Sequence, residues 1–150
     1  MRGCIGLGLA AALTAGAVAA PRPKDPPPKG PDIVGRWVLV SASQGGEPIP
    51  LRVVELDYEF TPDGRQVVRS RLGQVSFEYR YTVDRDNSPP TFDVRDKTGG
   101  SANLRGIYTV EGKTLTICYV TDADVPRPTK LESPAGSKAE LRVFTRSKKD

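Results

Sequence analysis

Three carboxylates alternate along the segment Val53-Val54-Glu55-Leu56-Asp57-Tyr58-Glu59-Phe60. On a strand, Glu55, Asp57 and Glu59 share one face, and Leu56, Tyr58 and Phe60 share the other. Paired carboxylates are the machinery of glycoside hydrolysis, one acting as acid and the other as base or nucleophile. Two readings stand: an acidic outer face, or an acidic stripe inside a barrel that would be a ligand site. Asp84-x-Asp86-x-Ser88 begins like a calcium loop. However, Pro89 stands where glycine is required and Arg95 where the bidentate glutamate belongs, so it reads as a turn. Asp122-x-Asp124 is a second acidic pair and reads as a solvated loop.

The chain has no histidine, which removes Ser-His-Asp and Cys-His nucleophilic sites and every histidine metal site. Of the two cysteines, Cys4 lies in the leader, so Cys118 is left alone, with no disulfide partner and no zinc set. Its mid-strand position fits a small buried hydrophobe. Gly45-Gly46 and Gly99-Gly100 are hairpin material, not phosphate loops. The expectation is a protein that is not an enzyme and carries no cofactor or metal. The remaining candidates are aromatic and cationic. Tyr79, Tyr81, Tyr108 and Tyr119, with Trp37, either fill a core or line a pocket and touch a ligand. Arg127, in a proline-flanked loop, either anchors that loop on a carboxylate or guards a barrel mouth and meets an anionic ligand.

The elements that position these residues begin after residue 32. Arg2, the apolar run Ile5 to Val18 and Ala17-Val18-Ala19 read as a secretory signal peptide over 1–19, cleaved after Ala19. The run is shorter than the roughly 20 residues of a relaxed membrane span, so no span is expected after cleavage. Residues 20–32 carry six prolines and no large apolar side chain, and read as an extended linker. Residues 33–150 suffice for one domain. Loss of Arg2 leaves 21 basic against 18 acidic residues. The excess is small and scattered, which argues against nucleic acid as a partner. The destination is the periplasm, the cell envelope or the outside of the cell.

Strand signals recur at short intervals, with no helical period. They fall at about 35–42, 53–60, 65–72, 75–83, 91–96, the hairpin 106–119, and 140–146. The fourth has the cleanest alternation: Val75, Phe77, Tyr79, Tyr81 and Val83 on one face, with Ser76, Glu78, Arg80 and Thr82 on the other. Pro62-Asp63-Gly64 has turn chemistry. In the hairpin, a turn at Glu111-Gly112 pairs Tyr108 with Leu115, Gly106 with Ile117 and Leu104 with Tyr119, so that Gly106 makes room for Ile117. The expected fold is all-β: an antiparallel meander of about eight strands closed as a barrel, with a β-sandwich as the alternative.

Gly35-Arg36-Trp37 opens the first strand and Phe144-Thr145-Arg146 closes the last, a pattern that resembles the lipocalin-like superfamily. The resemblance implies that Gly35, Trp37 and Arg146 are structural, with Arg146 across the Trp37 ring. The chain also resembles a family of uncharacterised exported domains abundant in planctomycete bacteria. The matching features are Gly35-x-Trp37, Gly45-Gly46, Pro90-x-Phe92-Asp93, Gly106-Ile107-Tyr108, Glu111-Gly112-Lys113-Thr114-Leu115, Ile117-Cys118-Tyr119, Arg127-Pro128 and Val143-Phe144-Thr145-Arg146. That resemblance implies a fold and an export route, not an activity. The functional expectation is an exported barrel that holds a small apolar or amphipathic ligand. The alternative is a filled barrel serving as a structural or interaction module of the cell envelope.

Overall fold

The computed structural model describes residues 32–53, 56–70, 76–100 and 102–148. The signal peptide at 1–19, the linker up to residue 31, Glu55 and Val75 lie outside the described residues. The chain forms strands β1 (Gly35–Gln44), β2 (Glu47–Pro48), β3 (Leu56–Phe60), β4 (Arg65–Ser70) and β5 (Ser76–Asp84). They are followed by β6 (Thr91–Asp96), β7 (Ala102–Glu111), β8 (Thr114–Val120) and β9 (Glu140–Arg146). One 3-10 turn, Leu51–Val53, completes the regular structure among the described residues. No helix there is long and apolar enough to cross a membrane.

The strands pair antiparallel in the order β2-β1-β3-β4-β5-β6-β7-β8-β9, and β9 pairs back onto β1. This is a closed eight-stranded up-and-down barrel, with β2 as a short spur beside β1; the sandwich alternative is set aside. Closure runs from Trp37↔Arg146 to Gln44↔Glu140. A bulge between Leu39 and Ser41 resets the alternation of β1. Trp37 and Leu39 point inward before it and Ala42 after it, while Val40 is left facing solvent.

Asp57 and Glu59, the described members of the acidic stripe, lie on the outer face of the barrel wall. Tyr58 and Phe60 are core residues, and Glu59 on the opposite face bonds Arg69 on β4 at 2.5 Å. A cross-strand ion pair on an exposed face adds little stability, and it uses a carboxylate that a hydrolytic pair would need.

The β7–β8 hairpin turns one residue later than the sequence reading has it. Glu111 pairs with Thr114, so the turn is Gly112-Lys113. Two-residue hairpin turns want positive φ at their first position, and Gly112 supplies it at φ 57°. The pairs are therefore Val110↔Leu115, Tyr108↔Ile117 and Gly106↔Tyr119. Each inward residue keeps its face, but Gly106 makes room for different neighbours. A Cβ there would lie 2.4 Å from Phe92 Cε1, 2.7 Å from the Cys118 carbonyl oxygen and 2.9 Å from Tyr119 Cβ.

Most of the interior is one apolar cluster. Trp37, Leu39, Phe60, Phe92, Tyr108, Leu115, Ile117 and Phe144 are all almost fully buried in it. A smaller cluster, Ile107, Cys118, Val120 and Ala139, sits outside the barrel wall, under the 121–139 loop that contributes Val125 and Leu131. Cys118 is therefore buried, its thiol donating to the Glu132 carbonyl at 3.2 Å. Burial pushes the thiol pKa up, as expected for an inert cysteine.

Candidate ligand site at the open end of the barrel

The two ends of the barrel differ. At the end where β1 begins, the Arg146 guanidinium carbon lies 4.3 Å from the Trp37 ring centroid, and Trp37 Nε1 donates to the Ile33 carbonyl at 2.8 Å. A Cβ on Gly35 would meet Arg146 Nη1 at 2.4 Å, so only glycine lets the arginine lie down. A cation–π contact of this kind is worth roughly 0.5–2 kcal/mol. Tyr81 and Tyr108 belong to the same packed region. The Tyr81 hydroxyl donates to the Thr61 carbonyl at 2.8 Å, and Tyr108 stands edge-on to Phe92 at 6.2 Å. This end is filled.

The other end is hollow. A cavity of about 340 Å³ opens there, walled by the inward residues Leu56 and Tyr58 (β3), Gln66 and Val68 (β4), Phe77 and Tyr79 (β5), Val94 (β6), Leu104 (β7) and Arg142 (β9), with Asn103 and Thr121 at the rim. Such a volume is at the small end of ligand pockets. Phe77 is 51% exposed although it shares the core face of its strand, because the strand has reached the mouth. Gln66, by contrast, is only 3% exposed and is one of two buried polar or charged residues among those described.

The second is Arg142. Its Nε donates to Glu140 Oε1 at 2.5 Å, its Nη2 lies 2.5 Å from the same oxygen, and its Nη1 donates to the Tyr58 hydroxyl. Its guanidinium carbon lies 5.8 Å from the Tyr58 ring centroid and 5.4 Å from that of Tyr119. Burial alone would lower the Arg142 pKa; the oxygens of Tyr58, Tyr119 and Glu140 outweigh it, and the pKa is raised. Burial raises the pKa of Tyr58 despite the nearby arginine. Burial raises the pKa of Tyr119 as well, and its hydrogen bond to Glu140 adds to the shift. The cluster is thus a buried Glu–Arg pair flanked by two neutral phenols, its charges balanced.

The structure divides the sequence-derived candidates. Tyr79 lines the mouth, and Tyr119 lies behind it against Arg142. Tyr81 and Tyr108 are at the filled end. Arg127 is on the outer surface, where Nη1 donates to the carbonyls of Gly106 (2.8 Å) and Phe92 (3.1 Å) and Nη2 meets Asp93 Oδ1 at 2.7 Å. These contacts clamp the 121–139 loop to β6 and β7. Arg105 assists from β7 by donating to the carbonyls of Asp122, Ala123 and Val125 at 3.2, 2.8 and 2.6 Å.

Sequence reasoning overlooked Tyr58, Gln66, Glu140 and Arg142. A signal was present: if Arg146 covers Trp37 from inside, period two also turns Phe144, Arg142 and Glu140 inward. The two acidic spacings are local loop devices. Asp84 accepts from the Asp86 amide at 3.0 Å and from Asn87 Nδ2 at 2.8 Å. Asp122 accepts from the Asp124 amide at 3.0 Å and pairs with Lys138 at 2.6 Å. No group of three or more His, Cys, Asp or Glu that could hold a metal occurs among the described residues. No protein-family model matches this chain, and no curated protein matches it in sequence.

Proposed function

We propose that this protein is an exported, non-catalytic, lipocalin-like barrel that holds one small amphipathic molecule in its open end. The observation that carries the reading is the 340 Å³ mouth cavity, whose wall is largely apolar and which has the polar side chain of Gln66 deep within it. Small barrels either fill their interior or hold one small ligand; this one is packed around Trp37 and has a cavity walled by Leu56, Val68, Phe77 and Leu104. The export route and the kinship with planctomycete-type exported domains belong to the same proposal. They rest on the leader at 1–19 and on the Gly106-Ile107-Tyr108 and Arg127-Pro128 motifs.

Native mass spectrometry of the protein purified from its own cell envelope tests the ligand. The expected result is a species heavier than the mature chain, abolished by Phe77→Arg together with Tyr79→Arg, which place charge in the mouth. A single apo mass under gentle conditions would remove the ligand. The protein would then be better read as a structural module, a role the packed closed end would equally serve.

A further inference from the structure

We infer that the mouth selects an uncharged amphipathic molecule, whose amide or hydroxyl head is read by the Gln66 carboxamide while its apolar tail lies toward Phe77. This rests on the reading of the mouth as a ligand site. Gln66 is 3% exposed and lines the cavity, and it is the one uncharged buried polar side chain among the described residues. A carboxamide has two donors and an acceptor oxygen with two lone pairs, and native proteins rarely bury such a group unsatisfied. A wholly apolar ligand would seal it in dry, at the cost of an unmet polar group. A ligand amide or hydroxyl meets it with a matching donor and acceptor.

The charge of the head follows from Arg142, the one charged side chain in the wall among the described residues. Its Nε and Nη2 face Glu140, its Nη1 faces Tyr58, and its flat faces lie near two phenol rings. Glu140 already balances it. A carboxylate entering the cavity would bring a net negative charge into a site whose cation is committed, and burying an unpaired charge is far costlier than burying an amide. Leu56, Val68, Phe77 and Leu104 offer the tail an apolar wall.

The test is calorimetric titration of the intact domain at neutral pH with two probes of equal tail, octanamide and octanoate. The expected result is that octanamide binds at least about tenfold more tightly than octanoate. Gln66→Leu should weaken octanamide by about tenfold, the loss of roughly one buried hydrogen bond, and leave octanoate unchanged. Octanoate binding as tightly as octanamide, or Gln66→Leu leaving octanamide unaffected, overturns the head-group assignment while the ligand site stands. Binding of neither probe to the wild type overturns the ligand site itself. If Gln66→Leu does not fold, the two-probe comparison on the wild type still decides.

Discussion

Glu140→Gln is the sharpest probe of the barrel's interior. The substitution keeps the side-chain shape and one acceptor oxygen but removes the charge that balances Arg142. The two side chains are only 14% and 10% exposed, so solvent screens the stranded guanidinium weakly. Removing one partner of a buried ion pair costs about 3–5 kcal/mol. The retained amide oxygen and the Tyr58 hydroxyl place this case at about 3 kcal/mol. That is a large part of the roughly 5–15 kcal/mol that holds a domain together. With a urea m-value of about 1.5 kcal/mol/M, the unfolding midpoint should fall by about 2 M. Arg142→Gln strands the carboxylate instead and should cost a similar amount. The double variant leaves no net charge behind, so it should cost about 3 kcal/mol, not the ~6 kcal/mol of two independent losses. Equilibrium urea unfolding of the four proteins, followed by Trp37 fluorescence, reads the whole cycle. Additive single effects, or a loss below about 1 kcal/mol for Glu140→Gln, would refute the idea that the two side chains form one desolvated unit.

Three other outcomes are expected. Gly106→Ala forces a methyl to within 2.4 Å of Phe92 and 2.7 Å of a backbone oxygen. Overpacking of this kind costs about 1–3 kcal/mol, measurable as a lower unfolding midpoint. Tyr58, Tyr81, Tyr108 and Tyr119 all have raised pKa values, so each stabilises the fold fully below the ordinary tyrosine pKa of 10.0. Above that pH the unfolded chain releases phenol protons that the folded chain keeps. Stability should then fall as pH rises, each tyrosine contributing until the pH passes its own raised folded-state pKa. Phenolate absorbance should rise together with unfolding, and Tyr119→Phe should flatten the pH dependence. Cys118 should resist a thiol reagent in the native protein and react when the chain is unfolded in denaturant; fast native labelling would contradict its burial under the 121–139 loop.

The alternation of Phe77, Tyr79, Tyr81 and Val83 revealed the inward face of β5, and the bounds of β6 and β9 could be read directly from the sequence. Period two decides which face a residue joins. It does not decide which residue stands opposite, because a slide of one strand by two positions preserves every face. The hairpin shows this: moving the turn to Gly112-Lys113 exchanges the partners of Tyr108 and Gly106 without exposing either. The Glu140–Arg142 pair was hidden for a different reason. Leu141 and Val143 alternate with two charged residues, so local hydrophobicity turns the charges outward. Closure of β9 onto β1 turns them inward, and the 121–139 loop packs Leu141 on the outside. Gln66 gave no signal, because a lone glutamine in a strand is mute about which barrel wall it joins. Arg127 advertised itself through its proline neighbours, which mark a loop held in place without saying whether a ligand or the protein holds it.

The seam between β1 and β9 also sets an order of events. Trp37 is made early and Arg146 more than a hundred residues later, yet they are neighbours in the finished barrel. Until the last seven-residue strand arrives, β1 and β8 are both unpaired edges, templates for another chain. Without β9 the sheet cannot close, and the β1–β9 contacts span the greatest separation in sequence. A nascent chain stopped before Glu140 is the species most prone to associate with its own copies.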